Sequence, residues 1–445
     1  MLFHFLKYIQ PVHYFRKCPL GKNSIYPDPS HNVDFNQYNL NKENNQWSTL
    51  AAKSQDLSWQ LLQRGLIKYD KTLEPSTDVG LADQYRFIRR YFKSVWSYYC
   101  LLIRIATFKN PFREIEAFNT SRSVHKVSMY KNPIHDDGFE TFRSSLIERN
   151  PKISVIIPTL NRYDYLLNGL KDLEQQTYRN FDVFVVDQSE PFDAQFYEQF
   201  KLDLKVLRQE EKALWLARNT AIKASDAAYF LLYDDDSSVD ENWIKNHLKC
   251  LDFFDAQISS GVSISTIGDN VPENYSFFRI ADQLDTGNVL IQKKVFKEIG
   301  LFDRQFEKQR MGDGEFGMRA YLAGFRNISN PLASRVHYKA SSGGLRQMGA
   351  WDAFKSSKVF DPKPIPSVLY YYRKYFGRKA SILALLKSLP FSMIPYRFKK
   401  NKLLLLPGVL IALLLLPLLL FQVGKSWRLS SIKLKEGADI ESYAG

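Results

Sequence analysis

The sequence predicts an α/β domain: a mostly parallel sheet with helices on both faces. A helical N-terminal region precedes it and a C-terminal membrane-contacting segment follows. Three observations carry this. Short β-branched runs alternate with helical-period segments from residue 151 onward, several of those runs end in polar or acidic residues, and one long uncharged stretch lies near the C-terminus.

The first run, ISVIIP (153–158), reads as a buried strand, and Tyr165, Leu166, Gly169, Leu170 and Leu173 then fall at helical spacing within 163–176. FDVFVVD (181–187) is the second strand and 204–207 the third. A helix over 213–225, a strand over AYFLLYDDD (228–236) and a helix over 241–253 follow. In such sheets ligands bind beyond the carboxyl ends of the strands, which directs attention to Pro158 through Asn161, to Asp187 and to Asp234–Asp236.

Three adjacent aspartates repel one another unless something compensates them. A hard divalent cation such as Mn²⁺ or Mg²⁺ does so, taking carboxylate oxygens together with substrate phosphates. In extended backbone Asp234 and Asp236 project to one side and Asp235 to the other, so a D-x-D pair could share a metal. A solvated acidic turn or helix cap before Glu241 is the competing reading. Asp187 is either a turn aspartate or an acceptor for the amide edge of a base.

Outside this domain the sequence divides coarsely. Residues 1–75 read as a largely loop extension, polar and Asn-rich over 20–56, and MLFHFLKYIQPVHYFRK lacks the apolar core of a signal peptide. Residues 76–150 read as a helical accessory region, with one helix over 81–108 that either packs on the domain or docks at an interface. The α/β domain takes 151–346. A basic, aromatic stretch (347–402), a hydrophobic segment (403–423) and a tail (424–445) complete the chain.

Composition narrows the class. At 445 residues, 45% hydrophobic and 24% charged, the chain is neither disordered nor a polytopic membrane protein. Cys18, Cys100 and Cys250 make neither a disulfide framework nor a zinc spacing, and fit a reducing compartment. Of the net charge of +14, residues 347–402 hold +10, from 12 Lys and Arg against two Asp. LLLLPGVLIALLLLPLLLF (403–421) follows directly, 19 uncharged residues of which 12 are Leu. As one helix it would reach roughly 28 Å, near the thickness of a bilayer core. Pro407, Gly408 and Pro417 bend it, and cations on both flanks give no asymmetry. A segment that dips and returns and one that spans are both open. Tyr370, Tyr371, Tyr372, Tyr375 and Phe376, set among Arg373, Lys374, Arg378 and Lys379, suit the headgroup layer of an anionic membrane. Nucleic acid is the rival partner for such sequence, but the adjoining leucines favour lipid and no nucleic-acid role is expected.

Six segments in order resemble a bacterial-like, membrane-associated family 2-type glycosyltransferase of the GT-A fold. They are KISVIIPTLNR, FDVFVVDQSE, LARNTAIKAS, FLLYDDDSSVDENWI, GNVLIQKKVFKEIGLFD and MGDGEFGMRAYLAGF, and the resemblance covers 151–345. The resemblance implies transfer of a sugar from a nucleotide-sugar donor to a saccharide or lipid-linked acceptor, with inversion, in surface glycan synthesis. It places Pro158, Thr159, Asp187, Arg218 and Asp235 at the donor, Asp234, Asp236 and His337 at a Mn²⁺ or Mg²⁺ ion, and Asp313 as the base, with Glu315 as fallback. The expected location is the cytoplasmic face of the cell membrane. Two departures stand out: Asp-Gln-Ser-Glu closes the second strand where Asp-Asp-Gly-Ser is common, and Gly312-Asp313 replaces Glu-Asp. The first puts the details of donor contact in doubt, and the second leaves room for a non-catalytic scaffold. A nucleotidyltransferase is disfavoured, because PTLNRYDY has neither the glycines nor the lysine of a phosphate loop.

Overall fold

The structure is a computed structural model that describes residues 2–31, 46–134, 138–265, 271–340, 358–394 and 402–444. Helices α1 (Leu6–Ile9), α2 (Leu50–Gln63), α3 (Leu81–Tyr91), α4 (Val95–Ala106), α5 (Pro111–Thr120) and α6 (Ser145–Glu148) precede the sheet. The strands are β1 (Ile153–Thr159), β2 (Phe181–Asp187), β3 (Leu204–Arg208), β4 (Tyr229–Tyr233), β5 (Ser237–Val239), β6 (Ile258–Ser265), β7 (Arg279–Ile280), β8 (Asn288–Gln292) and β9 (Asn327–His337). Between them run α7 (Tyr163–Glu174), α8 (Leu214–Ala224), α9 (Trp243–Phe253), α10 (Lys293–Ile299) and α11 (Gly312–Leu322).

Among the described residues the sheet order is β3-β2-β1-β4-β8-β6-β9-β5, with β7 on β9. β1 pairs in parallel with β2 and β4, and β2 with β3, because crossover helices return the chain to the same end each time. The expectation of a mostly parallel sheet is corrected here: the sheet is mixed. β8 runs antiparallel to both β4 and β6, and β5 antiparallel to β9. A strand buried on both faces reads alike in either direction, so periodicity did not reveal this.

Alternate residues of the central strands feed two cores. Ile156, Phe184, Val186, Phe230 and Leu232 pack with Ala217, Ala221 and Ile222 of α8. Ile153, Val155, Ile157, Val183, Val185 and Leu231 pack with α7 and α9 on the other face.

Several expectations change outside the sheet. Residues 50–63 are helical where loop was expected as far as 56: the Thr49 side chain caps the Ala52 amide, and Trp59, Leu61 and Leu62 are buried. The N-terminal extension is part of the fold, with Leu2, Phe3, Phe5 and Leu6 in the larger core. The helix expected over 81–108 is two, since Phe92 takes extended backbone (φ −118°, ψ 164°) and ends α3. The strand expected over 228–236 stops at Tyr233, and the aspartates occupy the turn that follows.

The basic, aromatic stretch also departs from its reading. Helix α12 (Pro366–Met393), broken at Gly377 (φ 77°), turns Tyr370 and Tyr371 into the core rather than toward lipid, and Lys374 and Tyr375 bind Glu315 of α11. The Tyr370 and Tyr371 rings join the core that also holds Phe316 and Met318 of α11. Arg378 and Lys379 are exposed, and Arg397, Lys399 and Lys400 lie outside the described residues. The leucine-rich segment forms two helices, Lys402–Leu414 and Leu416–Glu436, with a bend of 57° between Pro407–Leu414 and Leu416–Glu436. No single described helix is long and apolar enough to cross a membrane; only the bent pair together qualifies.

Candidate active site

The ends of β1, β2 and β4 lie side by side, and the register pairs Thr159 with Asp187. Pro158 is buried within β1, one residue before the end of the strand. The Thr159 hydroxyl donates to Asp235 at 2.8 Å, and Arg162 reaches Asp235 at 3.1 Å and Asp236 at 3.3 Å. Asp235 is thus turned inward. Burial, reinforced by the Asp236 and Asp234 charges, pushes its carboxyl up to about 7 against the pull of Arg162 and Thr159.

β9 completes the cluster from a distant part of the chain. It pairs Ser237 with His337 and Val239 with Arg335, which brings His337 Nε2 to 3.2 Å from Asp236. Ligand atoms of Asp234, Asp236 and His337 lie within 4.8 Å of one another. Burial works to raise the Asp236 pKa, but the hydrogen bond and charge of His337, with Arg162, outweigh it and hold the carboxyl below its ordinary value. Two carboxylates and an imidazole at this separation suit Mn²⁺, which accepts oxygen and nitrogen donors. These residues form a cluster that could hold a divalent cation.

Asp234 is braced by two buried arginines, Arg218 at 2.9 Å and Arg335 at 3.0 Å. Arg335 also holds Asp285 at 3.0 Å and donates to the hydroxyls of Ser237 and Ser263. Gly287 permits this packing: a Cβ there would overlap the Asp234 carboxylate and the Arg335 guanidinium. Arg218, placed at the donor by sequence, also donates to the Thr286 carbonyl and lies over the Trp215 ring. Asp187 accepts from the hydroxyls of Tyr163 and Tyr197, each at 2.7 Å, and from the Ser189 amide at 2.8 Å.

Asp313 stands in the first turn of α11, half-buried, and accepts from the Gly314 amide at 2.8 Å. The turn is fixed from three sides. Tyr14 donates to the Gly314 carbonyl at 2.6 Å, Met311 enters the helix in the left-handed region (φ 77°), and Trp215 packs against Gly312. A Cβ at 312 would strike the Trp215 ring, so glycine at this position makes room for an indole. The same indole lies under Arg218, which links the α11 turn to Asp234.

Glu315 is fully buried and bound by Arg319 (2.9 Å), Lys374 (3.0 Å) and the Tyr375 hydroxyl (2.5 Å). Burial works to raise its pKa, and Arg319, Lys374 and Tyr375 outweigh that and keep it below the glutamate range. A depressed carboxylate stabilises the fold above its unfolded pKa, and that contribution is lost as pH falls through the folded value. Glu315→Gln should therefore cost roughly 1–3 kcal/mol at neutral pH, with the deficit shrinking in acid. Melting temperatures across pH check this; a deficit independent of pH would refute it.

Sequence reading missed Arg162, Arg335, Asp285, Tyr163, Tyr197 and Trp215. One signal was available: in SRVH, Arg335 and His337 alternate on a strand and so face the same side.

Residues 154–321 match the family model described as Glycosyl transferase family 2. Glycosyltransferase GlyG of Streptococcus pneumoniae is 27% identical over 236 residues, 51% of this chain and 71% of GlyG. Glycosyltransferase GlyA of the same organism is 27% identical over 164 residues, 36% of this chain but only 22% of GlyA. The poly(ribitol-phosphate) β-N-acetylglucosaminyltransferase TarS of Staphylococcus aureus is 27% identical over 206 residues, 43% of this chain and 35% of TarS. The crystal structure of S. aureus TarS 1–349 with UDP-GlcNAc aligns with a TM-score of 0.41 at 19% identity, over 66% of this chain and 97% of that one. The domain spanning residues 154–321 is a family 2 glycosyltransferase domain.

Proposed function

We propose that the chain moves a sugar from a nucleotide-sugar donor to a glycan or lipid-linked saccharide, by single displacement with inversion, in surface glycan synthesis on the cytoplasmic face of a membrane. The observation that carries this reading is the convergence of Asp234, Asp236 and His337 beside the ends of β1 and β4. Asp234, Asp236 and His337 would hold a Mn²⁺ or Mg²⁺ ion, which when bound supplies positive charge to a departing nucleoside diphosphate. Pro158, Thr159, Asp187, Arg218 and Asp235 shape the donor side. Arg218 and Arg335 hold Asp234 in place, and Arg162 does the same for Asp235 and Asp236. Asp313 takes the proton from the acceptor hydroxyl as that oxygen attacks the anomeric carbon, its charge favoured by the N-terminus of α11. TarS, by name, is a poly(ribitol-phosphate) β-N-acetylglucosaminyltransferase, which supports transfer of a sugar to a polymeric acceptor.

Nucleotide-sugar hydrolysis measured across UDP, GDP and dTDP donors tests the reading. One donor class should release nucleoside diphosphate in Mn²⁺ or Mg²⁺, and both chelation and Asp236→Asn should suppress release by about 10²-fold or more. Equal turnover in chelator would overturn the metal role, and no turnover of any donor would favour a scaffold.

A further inference from the structure

We infer that the leucine-rich segment enters one leaflet and returns on the same side, and that the exposed apolar stripe of α4 and α5 rests on that leaflet beside it. This builds on the membrane association proposed above and adds its topology.

Both flanks of the segment are tied to the same globular body. Upstream, α12 buries Val368, Leu369, Tyr370 and Tyr371, and its Lys374 and Tyr375 bind Glu315. Downstream, Ser426 donates to the Pro364 carbonyl at 2.6 Å and Lys433 to the Gln305 carbonyl at 2.8 Å. The tail then runs along the catalytic domain. The Leu301 amide donates to the Glu441 carbonyl at 2.9 Å, Lys223 pairs with Glu441 at 2.8 Å, and Tyr443 is buried against Phe230 and Phe296. A spanning segment would strip all the tail contacts and expose that pocket to water.

The bent helices have the dimensions of a dip. The apolar part of the first helix, residues 403–414, is about 18 Å long and that of the second, residues 416–423, about 12 Å, each short of a bilayer core of about 30 Å. Leu414 is 80% exposed and Leu410, Leu413, Leu420 and Phe421 are more than half exposed, clustered at the bend. Such a patch requires an apolar neighbour.

A second patch lies next to the same helix. Val95, Tyr98, Leu102 and Ile105 are exposed at intervals of three and four residues, one stripe along α4, and Phe108 (98% exposed) and Phe112 (82%) extend it. Lys387 of α12 lies 5.2 Å over the Trp96 ring at the start of α4, while Leu385 and Leu389 of α12 pack on Leu419. Helix α12 thus bridges the two patches. Lys109, Arg113, Arg378, Lys379 and Arg428 are exposed around them, and cations beside apolar side chains match anionic headgroups.

The test is labelling of sealed membrane vesicles with a membrane-impermeant maleimide. Native Cys18 is exposed and reports the side of the catalytic domain. Lys379→Cys and Lys435→Cys, each in a Cys18→Ser background, report the two flanks. All three positions should label from one face only. Labelling of the two flanks from opposite faces would overturn the dip while leaving membrane association intact, whereas full-length protein in the soluble fraction would overturn the association itself. A fluorophore on Phe108→Cys should lose emission to nitroxide-bearing lipid. Undiminished emission together with cross-linking between chains through that position would assign the stripe to a second copy and overturn the lipid contact.

Discussion

Asp313→Asn should lower the rate of sugar transfer by about 10²–10⁴-fold, the contribution of a positioned general base. Asparagine keeps the size of the side chain and still accepts from the Gly314 amide, so the α11 turn stays capped. The supports of that turn, Tyr14, Met311 and Trp215, are also untouched. What the amide lacks is a lone pair basic enough to remove a hydroxyl proton. Donor affinity should therefore match the wild type when nucleoside diphosphate binding is titrated in Mn²⁺, and the loss should appear in kcat. Glu315→Gln provides the contrast, because Glu315 is buried beneath Arg319, Lys374 and Tyr375 and acts on stability. Turnover by Asp313→Asn near that of the wild type would remove the base assignment. A parallel loss of donor affinity would instead make Asp313 part of the donor site.

The parts of this molecule legible from sequence are those decided locally. β1 and β2 end within one residue of their expected limits, because apolar β-branched runs and polar ends specify a buried strand. The acid triplet was legible as a candidate site for the same reason. Its geometry was not: Asp234–Asp236 form a turn rather than extended chain, and their partners come from far along the sequence. His337 meets Asp236 only through the β5–β9 register, about 100 residues away, and no local pattern encodes that pairing. The aromatic side of α12 misled for a related reason. Tyrosines and cations suit a headgroup layer and a buried interface alike, and only the location of Glu315 decides between them.

Arg335→Met should be among the most damaging single changes outside the reacting groups. The guanidinium is almost wholly buried, bridges Asp234 and Asp285, and donates to two serine hydroxyls. Methionine matches much of its volume but supplies no charge, which leaves the partly exposed Asp234 and Asp285 carboxylates facing each other with Arg218 still paired to Asp234. Breaking a fully buried ion pair from one side costs about 3–5 kcal/mol, and the partial hydration of the two carboxylates with Arg218 still on Asp234 puts the expected loss at the lower end of that range. For a domain of this size the melting temperature should fall on the order of 10 °C. Arg335→Lys should land in between, since an ammonium restores charge but not the fork that reaches both aspartates. A cation held by Asp234, Asp236 and His337 would restore part of the missing positive charge. Mn²⁺ should therefore raise the melting temperature of Arg335→Met more than that of the wild type, through binding to the folded state. A loss of stability that Mn²⁺ does not relieve would mean that Arg335 serves packing alone. An unchanged melting temperature would show that Asp234 and Asp285 find other partners, and the cluster would then lack the rigid support that holding a metal demands.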